Sequence, residues 1–417
     1  MKILFIHKQI LFPHDTGGKI RALNVLRHVA RWHDVTYLSN LRPGEDNQLP
    51  AMKALGLHVE TTPARESRRG SPRFYVDLLA NLASPRPFTV DRNYDPTLHQ
   101  RAKELHQREH FDLIICDCVQ MARHVEGLEG ATTVLFQHNV EAQILHRHAR
   151  KSRGAMARYM ALQWKKMARY ESEVGGRFDV VIAVSEPDKL KFESDYGWEH
   201  VEAIDTAVDV EYFRPDAVDD VESPDNVVFV GSMDWLPNQE AVHYFVREVW
   251  PRIRRVRPAA RFQVVGRNPT PDILRLDGVD RVEIVGKVAD TRPYLAKAAV
   301  SVVPILVGGG TRLKIFEAMA MRKAVVSTTI GAEGLPLTHG KNVVLADSPE
   351  AFATEVIGLL ESPGRRSELA ASAHELVNAS FGSMTVARQF DSICSRAHAA
   401  RGEAIKSDNH LRVGDPG

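Results

Sequence analysis

Short apolar, strand-like runs alternate with helix-like segments along this chain, and the whole alternation restarts at about its midpoint. Strand candidates in the first half cover residues 3–7, 35–39, 58–62, 113–117, 133–137 and 180–184. Those in the second half cover residues 227–230, 262–265, 282–285, 300–305, 325–328 and 343–346. Strands that alternate with helices pair in parallel, so the pattern predicts an α/β chain of two doubly wound, Rossmann-like domains. A length of 417 residues agrees, since one hydrophobic core rarely serves so long a chain. The predicted boundaries are 1–204 for the first domain and 205–382 for the second. A helix over 383–400 returns to the first domain, and 401–417 is a disordered tail. Residues 205–225, acid-rich with two prolines, read as the linker. Ligands of such domains sit outside the carboxyl ends of the strands, which predicts an active site in a central cleft that the two domains face.

The most specific motif follows the strand-like run 300–306. It reads Gly308-Gly309-Gly310-Thr311-Arg312-Leu313-Lys314-Ile315-Phe316-Glu317-Ala318-Met319-Ala320. Glycines let a backbone approach phosphate oxygens, the open N–H groups of a helix start point at an anion, and Arg312 and Lys314 add two cations. Glu317, one to two helical turns further in, can accept from the vicinal hydroxyls of a ribose. Together these predict a nucleotide diphosphate, with Gly309, Gly310, Thr311, Leu313 and Glu317 binding it. A bare glycine triplet would serve equally as a turn with solvated charges, so the argument rests on the combination.

The segment resembles the donor-site helix of family 4 glycosyltransferases, and the resemblance extends over nearly the whole chain. It implies the GT-B fold, retention of anomeric configuration and no requirement for a metal or other cofactor. In that family a Glu-x7-Glu motif ends in the ribose-binding Glu followed by Ala-Met-Ala, which Glu317-Ala318-Met319-Ala320 matches. The first Glu of the motif is replaced by Gly309, and the family's following Gly-x-Pro reads Arg322-Lys323-Ala324. The loop 231–238 also departs. It holds Gly231-Ser232-Met233-Asp234-Trp235-Leu236-Pro237-Asn238, without the Arg and Lys that many relatives use to grip the diphosphate, so Arg312 and Lys314 are the expected substitutes. This combination occurs in a branch linked to surface polysaccharide synthesis. Thr206-Ala207 stands where Asn-Gly is common, in linker sequence.

Two further strand ends carry candidates. Gly17-Gly18 opens a helix after the first strand and resembles the family's amino-terminal glycine loop, whose backbone faces donor phosphates or acceptor; an ordinary turn explains the pair nearly as well. His138 follows the strand ending at Gln137. A His at the carboxyl end of a parallel strand is placed to touch a ligand, and the resemblance sets it against the donor sugar, although Asn139 there also suits a helix cap. His138, Arg312 and Lys314 are therefore the expected catalytic residues. Ser185 and Pro187 suffice as the cap and first turn of another helix.

Composition narrows the classes. A net charge of +1 gives no reason to expect nucleic acid. Three cysteines form no disulfide framework and suit a reducing cytoplasm, and Cys116 and Cys118, on one strand, make a poor metal pair. The amino terminus is too short an apolar run for a signal peptide, and no stretch approaches the ~20 apolar residues of a membrane span. A helix expected from Glu141 to about Gly175 has no acid between Arg147 and Tyr170, while Met156, Tyr159, Met160, Trp164, Met167 and Tyr170 recur at helical spacing. Such a helix either lies on anionic lipid at the inner face of the plasma membrane or packs its apolar stripe into the core. The expected function is sugar transfer from a nucleotide diphosphate donor to a glycan or lipid-linked hydroxyl. A sugar-nucleotide epimerase of the same fold and a non-catalytic binding subunit are the alternatives.

Overall fold

A computed structural model describes residues 1–13, 16–64, 70–307 and 313–413. The chain divides into two compact units, one of Met1–Asp205 joined by the chain from Val386 and one of Thr206–Thr385.

Seven parallel strands form the sheet of the first unit: β1 (Lys2–Gln9), β2 (Asp34–Leu41), β3 (His58–Pro63), β4 (Leu113–Asp117), β5 (Thr132–Gln137), β6 (Val180–Ala183) and β7 (Val201–Ala203). Their order is β3-β2-β1-β4-β5-β6-β7, and every pairing is parallel. Central strands are covered on both faces, which is why β4 reads Leu-Ile-Ile-Cys-Asp with every residue buried. Helix α1 (Gly17–Trp32) follows β1 and buries Leu23, Leu26 and Val29 along one stripe. Between β3 and β4 the chain inserts α2 (Pro72–Ala80) and further short helices that the strand pattern does not announce.

The helix expected over 141–175 is two helices, α3 (Glu141–Lys151) and α4 (Gly154–Gly175). The break has a local cause: Ser152 and Arg153 are extended, and Gly154 takes φ +61°, a conformation other residues resist. The apolar stripe also divides. Met167 and Tyr170 are buried in the core and Trp164 packs against it, stacked on His146, whereas Met156 is exposed. Helix α5 (Glu186–Tyr196) starts at Ser185, whose hydroxyl accepts from Asp188 N as an N-cap.

The second unit restarts the wind with β8 (Asn226–Val230), β9 (Arg261–Val265), β10 (Val282–Gly286), β11 (Val300–Val303), β12 (Ala324–Ser327) and β13 (Val344–Leu345), in the order β10-β9-β8-β11-β12-β13. Counted from its own first strand this is the same 3-2-1-4-5-6 winding as the first unit, the order of a dinucleotide-binding sheet. Helix α6 (Leu313–Ala320) follows β11, and Phe316 on it stacks on Phe381 at 4.5 Å. The last element, α7 (Ser383–Val413), carries the chain back to the first unit, where Phe390 meets Phe136 edge to face and Arg401 pairs with Asp179 at 2.8 Å. It runs on through much of the segment expected to be a disordered tail.

Candidate active site

In the second unit, the open end of the sheet is built on glycines that remove side chains where other groups must pass. A Cβ on Gly266 would stand 1.8 Å from the Gly231 carbonyl oxygen, so the loops after β8 and β9 touch backbone to backbone. A Cβ on Gly231 would stand 2.8 Å from Lys314 Nζ. The bare position lets Lys314, from the first turn of α6, reach into the loop 231–238. There Nζ donates to Asn238 Oδ1 at 2.6 Å and lies 4.5 Å from the centroid of the Phe229 ring. Asn238 is oriented in turn by donating to the Ser232 carbonyl at 2.7 Å. A second cation is present that the sequence does not single out: Arg267, just past β9, donates to Ser232 Oγ at 3.0 Å and lies 3.4 Å from Asp234. The signal was a cation one residue past a strand-end glycine. The loop that lacks its own cation thus has Lys314 and Arg267 brought to it from neighbouring elements.

Glu317 sits one turn into α6 and is half-buried. No described residue donates a hydrogen bond to its carboxylate, and burial pushes the carboxyl up to about 7, with Lys314 pulling the other way. Leu313 is buried beneath the same turn. Gly309, Gly310, Thr311 and Arg312 lie outside the described residues.

In the first unit, β1, β4 and β5 end on one buried carboxylate. Asp117 closes β4, and its Oδ1 accepts from His138 Nε2 at 2.6 Å. Its Oδ2 lies 2.8 Å from His7 Nε2 on β1, a charge contact without hydrogen-bond alignment. These two rings hold Asp117 far below the usual carboxylate range despite complete burial. His138 is 4% exposed, and with Nε2 turned to Asp117 its Nδ1 has no partner among the described residues. Arg21 of α1 donates to the His138 carbonyl at 2.9 Å, and burial lowers its guanidinium to about 10. Gly17 and Gly18 form the first turn of α1. A Cβ on Gly18 would stand 3.6 Å from His138 Cδ2, so the glycine turn lies beside the imidazole.

Behind His138 a second carboxylate is saturated. Glu171, fully buried on α4, accepts from Gln137 Nε2, Glu141 N, Ala142 N and Tyr196 Oη, at 2.8 to 3.1 Å. It caps α3, whose own N-cap position is Val140 and has no side-chain acceptor. Glu141 is pushed up to about 7 by burial and by Glu171. Asp117, Cys118 and His138 each place one potential ligand atom within 4.8 Å of the others, the spacing a metal would need, which the strand-alternation argument about the cysteines did not anticipate. Cys118 escapes that argument because it lies past the end of β4, at φ +74°. Of the expected residues, Gly17, Gly18 and His138 are therefore gathered in the first unit, and Lys314 and Glu317 in the second. Asp117, His7 and Arg267 were missed.

Residues 224–362 match the family described as glycosyl transferases group 1. A 44.6 kDa protein of the cps region of Klebsiella pneumoniae is 22% identical over 301 residues, 69% of this chain and 75% of that one. Among solved structures, sucrose-phosphate synthase from Thermosynechococcus elongatus superposes with TM-score 0.68 at 17% identity, over 96% of this chain and 100% of that one. Anabaena HepE, solved with UDP, gives TM-score 0.65 at 17% identity, over 95% and 100%. TarM from S. aureus, in complex with Fondaparinux, alpha-GlcNAc-glycerol and UDP, gives 0.65 at 12% identity, over 94% and 99%. With the strand orders of both units, these likenesses give the chain the GT-B fold, and its residues 224–362, in the second unit, are similar to the group 1 glycosyltransferases.

Proposed function

We propose that this protein is a glycosyltransferase that moves a sugar from a nucleotide diphosphate donor to a hydroxyl of a glycan or lipid-linked saccharide, with retention of anomeric configuration. The observation that carries the reading is in the second unit: Lys314 is drawn into the loop after β8, and one turn along the same helix stands a half-buried carboxylate that no described residue satisfies. A carboxylate withdrawn from water is costly unless it is hydrogen-bonded, and ribose hydroxyls are suited to bond it. Bound UDP in Anabaena HepE, and UDP with a glycosylated glycerol in TarM, support a nucleotide-sugar donor and a saccharide acceptor. The cps relative supports surface polysaccharide as the setting.

In this reading the bond between the anomeric carbon and the diphosphate breaks as the acceptor oxygen bonds to the same face. The acceptor proton passes to the departing diphosphate oxygen. The protein positions the reactants and offsets the charge growing on the leaving group, through Lys314, Arg267 and Arg312. Following the family resemblance, His138 is assigned to the donor sugar. The reaction is placed at the cytoplasmic side of the membrane; the three cysteines carry no disulfide, as suits a reducing compartment.

A thermal-shift screen of nucleoside diphosphates and their sugars tests the donor site. A ligand at 100 times its Kd stabilises the native state by about 2.7 kcal/mol, a readable rise in Tm. If no nucleoside diphosphate raises Tm, the reading fails. Product analysis with donor alone then separates transfer from epimerisation, since an epimer formed without acceptor contradicts transfer.

A further inference from the structure

Two neighbouring residues at the end of β4 bring their side chains to one place. Successive residues of a strand point to opposite faces, so Asp117 and Cys118 would diverge if β4 simply ran on. Cys118 instead takes φ +74° and ψ 145°, a backbone conformation that suits glycine and strains other residues. The Cys118 sulfur, an Asp117 oxygen and a ring nitrogen of His138 thereby all lie within 4.8 Å of one another. Asp117 and His138 are buried and Cys118 is half-buried, so the thiol is the accessible member of the three.

The cluster also has unused ligand atoms and an outer support. Asp117 Oδ2 and His138 Nδ1 are buried with no hydrogen-bond partner among the described residues. His7 holds the carboxylate through Nε2, 2.8 Å from Oδ2, and its own Nδ1 lies 2.5 Å from the Gln9 carbonyl oxygen. A ring fixed by a backbone carbonyl and set against a ligating group is the outer shell that orients the ligands of metal sites. Thiolate, imidazole and carboxylate together suit Zn²⁺, whereas Mg²⁺ and Ca²⁺ take oxygen ligands. Bonds of about 2.0–2.3 Å set the ligand atoms of a tetrahedral zinc roughly 3.3–3.8 Å apart. His138 Nε2 and Asp117 Oδ1 stand nearer than that, at 2.6 Å, and no pair of the three ligand atoms exceeds 4.8 Å. Side-chain rotations of about 1 Å therefore seat the ion.

We propose that Asp117, Cys118 and His138 form a zinc site, supported by His7, and that zinc held there stops sugar transfer. The ion has no part in the reaction. As it binds, the Cys118 thiol gives up its proton to solvent, and the thiolate and the Asp117 carboxylate together balance the two charges of the ion. One ring nitrogen of His138 supplies a lone pair, and three protein ligands leave the fourth position to water. His138 is then held by the metal instead of being available to the donor sugar. The inhibition alone rests on the proposed function, through that assignment of His138; the site itself rests on the geometry of the first unit.

Titration of the EDTA-stripped, full-length protein with Zn²⁺ against a chromophoric chelator tests the site in the absence of donor and acceptor. One ion per chain should bind and raise Tm. Co²⁺ in its place should show the near-ultraviolet charge-transfer band of a metal-thiolate bond. Cys118→Ser should abolish that band and weaken zinc binding by roughly a hundredfold or more, whereas Cys394→Ala should keep both. Cys118→Gly provides a second variant that the backbone accepts, and with its fold confirmed by circular dichroism it should show no zinc-dependent rise in Tm. Failure of the wild type to bind zinc overturns the proposal. So does binding that survives both Cys118→Ser and Cys118→Gly, which would put the ion on other histidines. In transfer assays, Zn²⁺ should inhibit the wild type, EDTA should relieve the inhibition, and Cys118→Gly should keep its own zinc-free rate when zinc is added. Zinc that binds through Cys118 without slowing transfer upholds the site and rejects the assignment of His138 to the donor sugar. Absent zinc binding with nucleoside diphosphate binding intact rejects the site and leaves the donor reading standing.

Discussion

The two units carry the same strand order but opposite kinds of polar centre. In the first, Asp117 is enclosed by His7 and His138, and Glu171 accepts four hydrogen bonds, so these two buried carboxylates are held by groups of the unit itself. In the second, Glu317 is half-buried with no hydrogen bond from the described residues, and its carboxyl is raised accordingly. An enclosed network fixes geometry, and a carboxylate that no described residue bonds is suited to a ligand. On the proposed function, the first unit is the half that positions and the second the half that binds nucleotide.

The comparison breaks most visibly if the cations of the second unit are removed. Arg312→Ala/Lys314→Ala should depress turnover by roughly 10²- to 10⁴-fold, and depress binding of the intact donor less, because the leaving group is more negative in the transition state. Near-normal turnover by that protein, shown folded by circular dichroism, would place the diphosphate elsewhere. In the first unit the larger effect falls on stability. Asp117→Ala leaves two histidines without their shared carboxylate and should cost about 3–5 kcal/mol in denaturant unfolding. A loss below about 1 kcal/mol would show that the network is not enclosed as described. His138→Ala is expected to lower turnover much more than nucleotide affinity; equal losses in both would reduce it to a support of the fold.

Glu317→Gln should weaken nucleoside diphosphate binding by about 1.5–3 kcal/mol, because an amide offers one acceptor oxygen where the carboxylate offers two. The smallest expected effect is that of chelation. Asp117, Cys118 and His138 have metal-ligand spacing, but Asp117 is already held by two imidazoles, so transfer is expected to persist in EDTA. Activity lost to EDTA and restored by Mg²⁺, Mn²⁺ or Zn²⁺ contradicts that expectation.

The sheets were legible because buried parallel strands are written as continuous apolar runs, and 113–117 or 300–303 have no other comfortable place. Three-residue β7 is too short to show a period, only two residues of the expected strand 343–346 form β13, and the helices inserted after β3 follow no strand signal. Breaking 141–175 into two helices needed the positive φ of Gly154, which a helical pattern of apolar residues conceals. Site residues that follow a strand, such as His138 and Lys314, were visible by position. Their partners were not: Asp117 precedes His138 by 21 residues and His7 is 110 residues from Asp117, distances that only the strand order β1-β4-β5 closes. Arg267 was hidden for the same reason, since it serves the loop after β8 from the end of β9.

The central claim, that the second unit's open carboxylate is a nucleotide contact, is tested most directly by titration calorimetry of nucleoside diphosphate across about pH 5.5 to about pH 8, with wild type and Glu317→Gln in parallel. Burial raises the Glu317 carboxyl from its ordinary value to about 7 in the folded protein, so in the empty protein its contribution to stability is full below the ordinary value and is lost as pH rises through about 7. Ribose hydroxyls donate to the ionised form, so affinity has the opposite slope: it should strengthen as pH rises through about 7 in wild type, beyond whatever the ligand's own phosphate titration produces in Glu317→Gln. Parallel curves of equal affinity for the two proteins would contradict the account and move Glu317 out of the site.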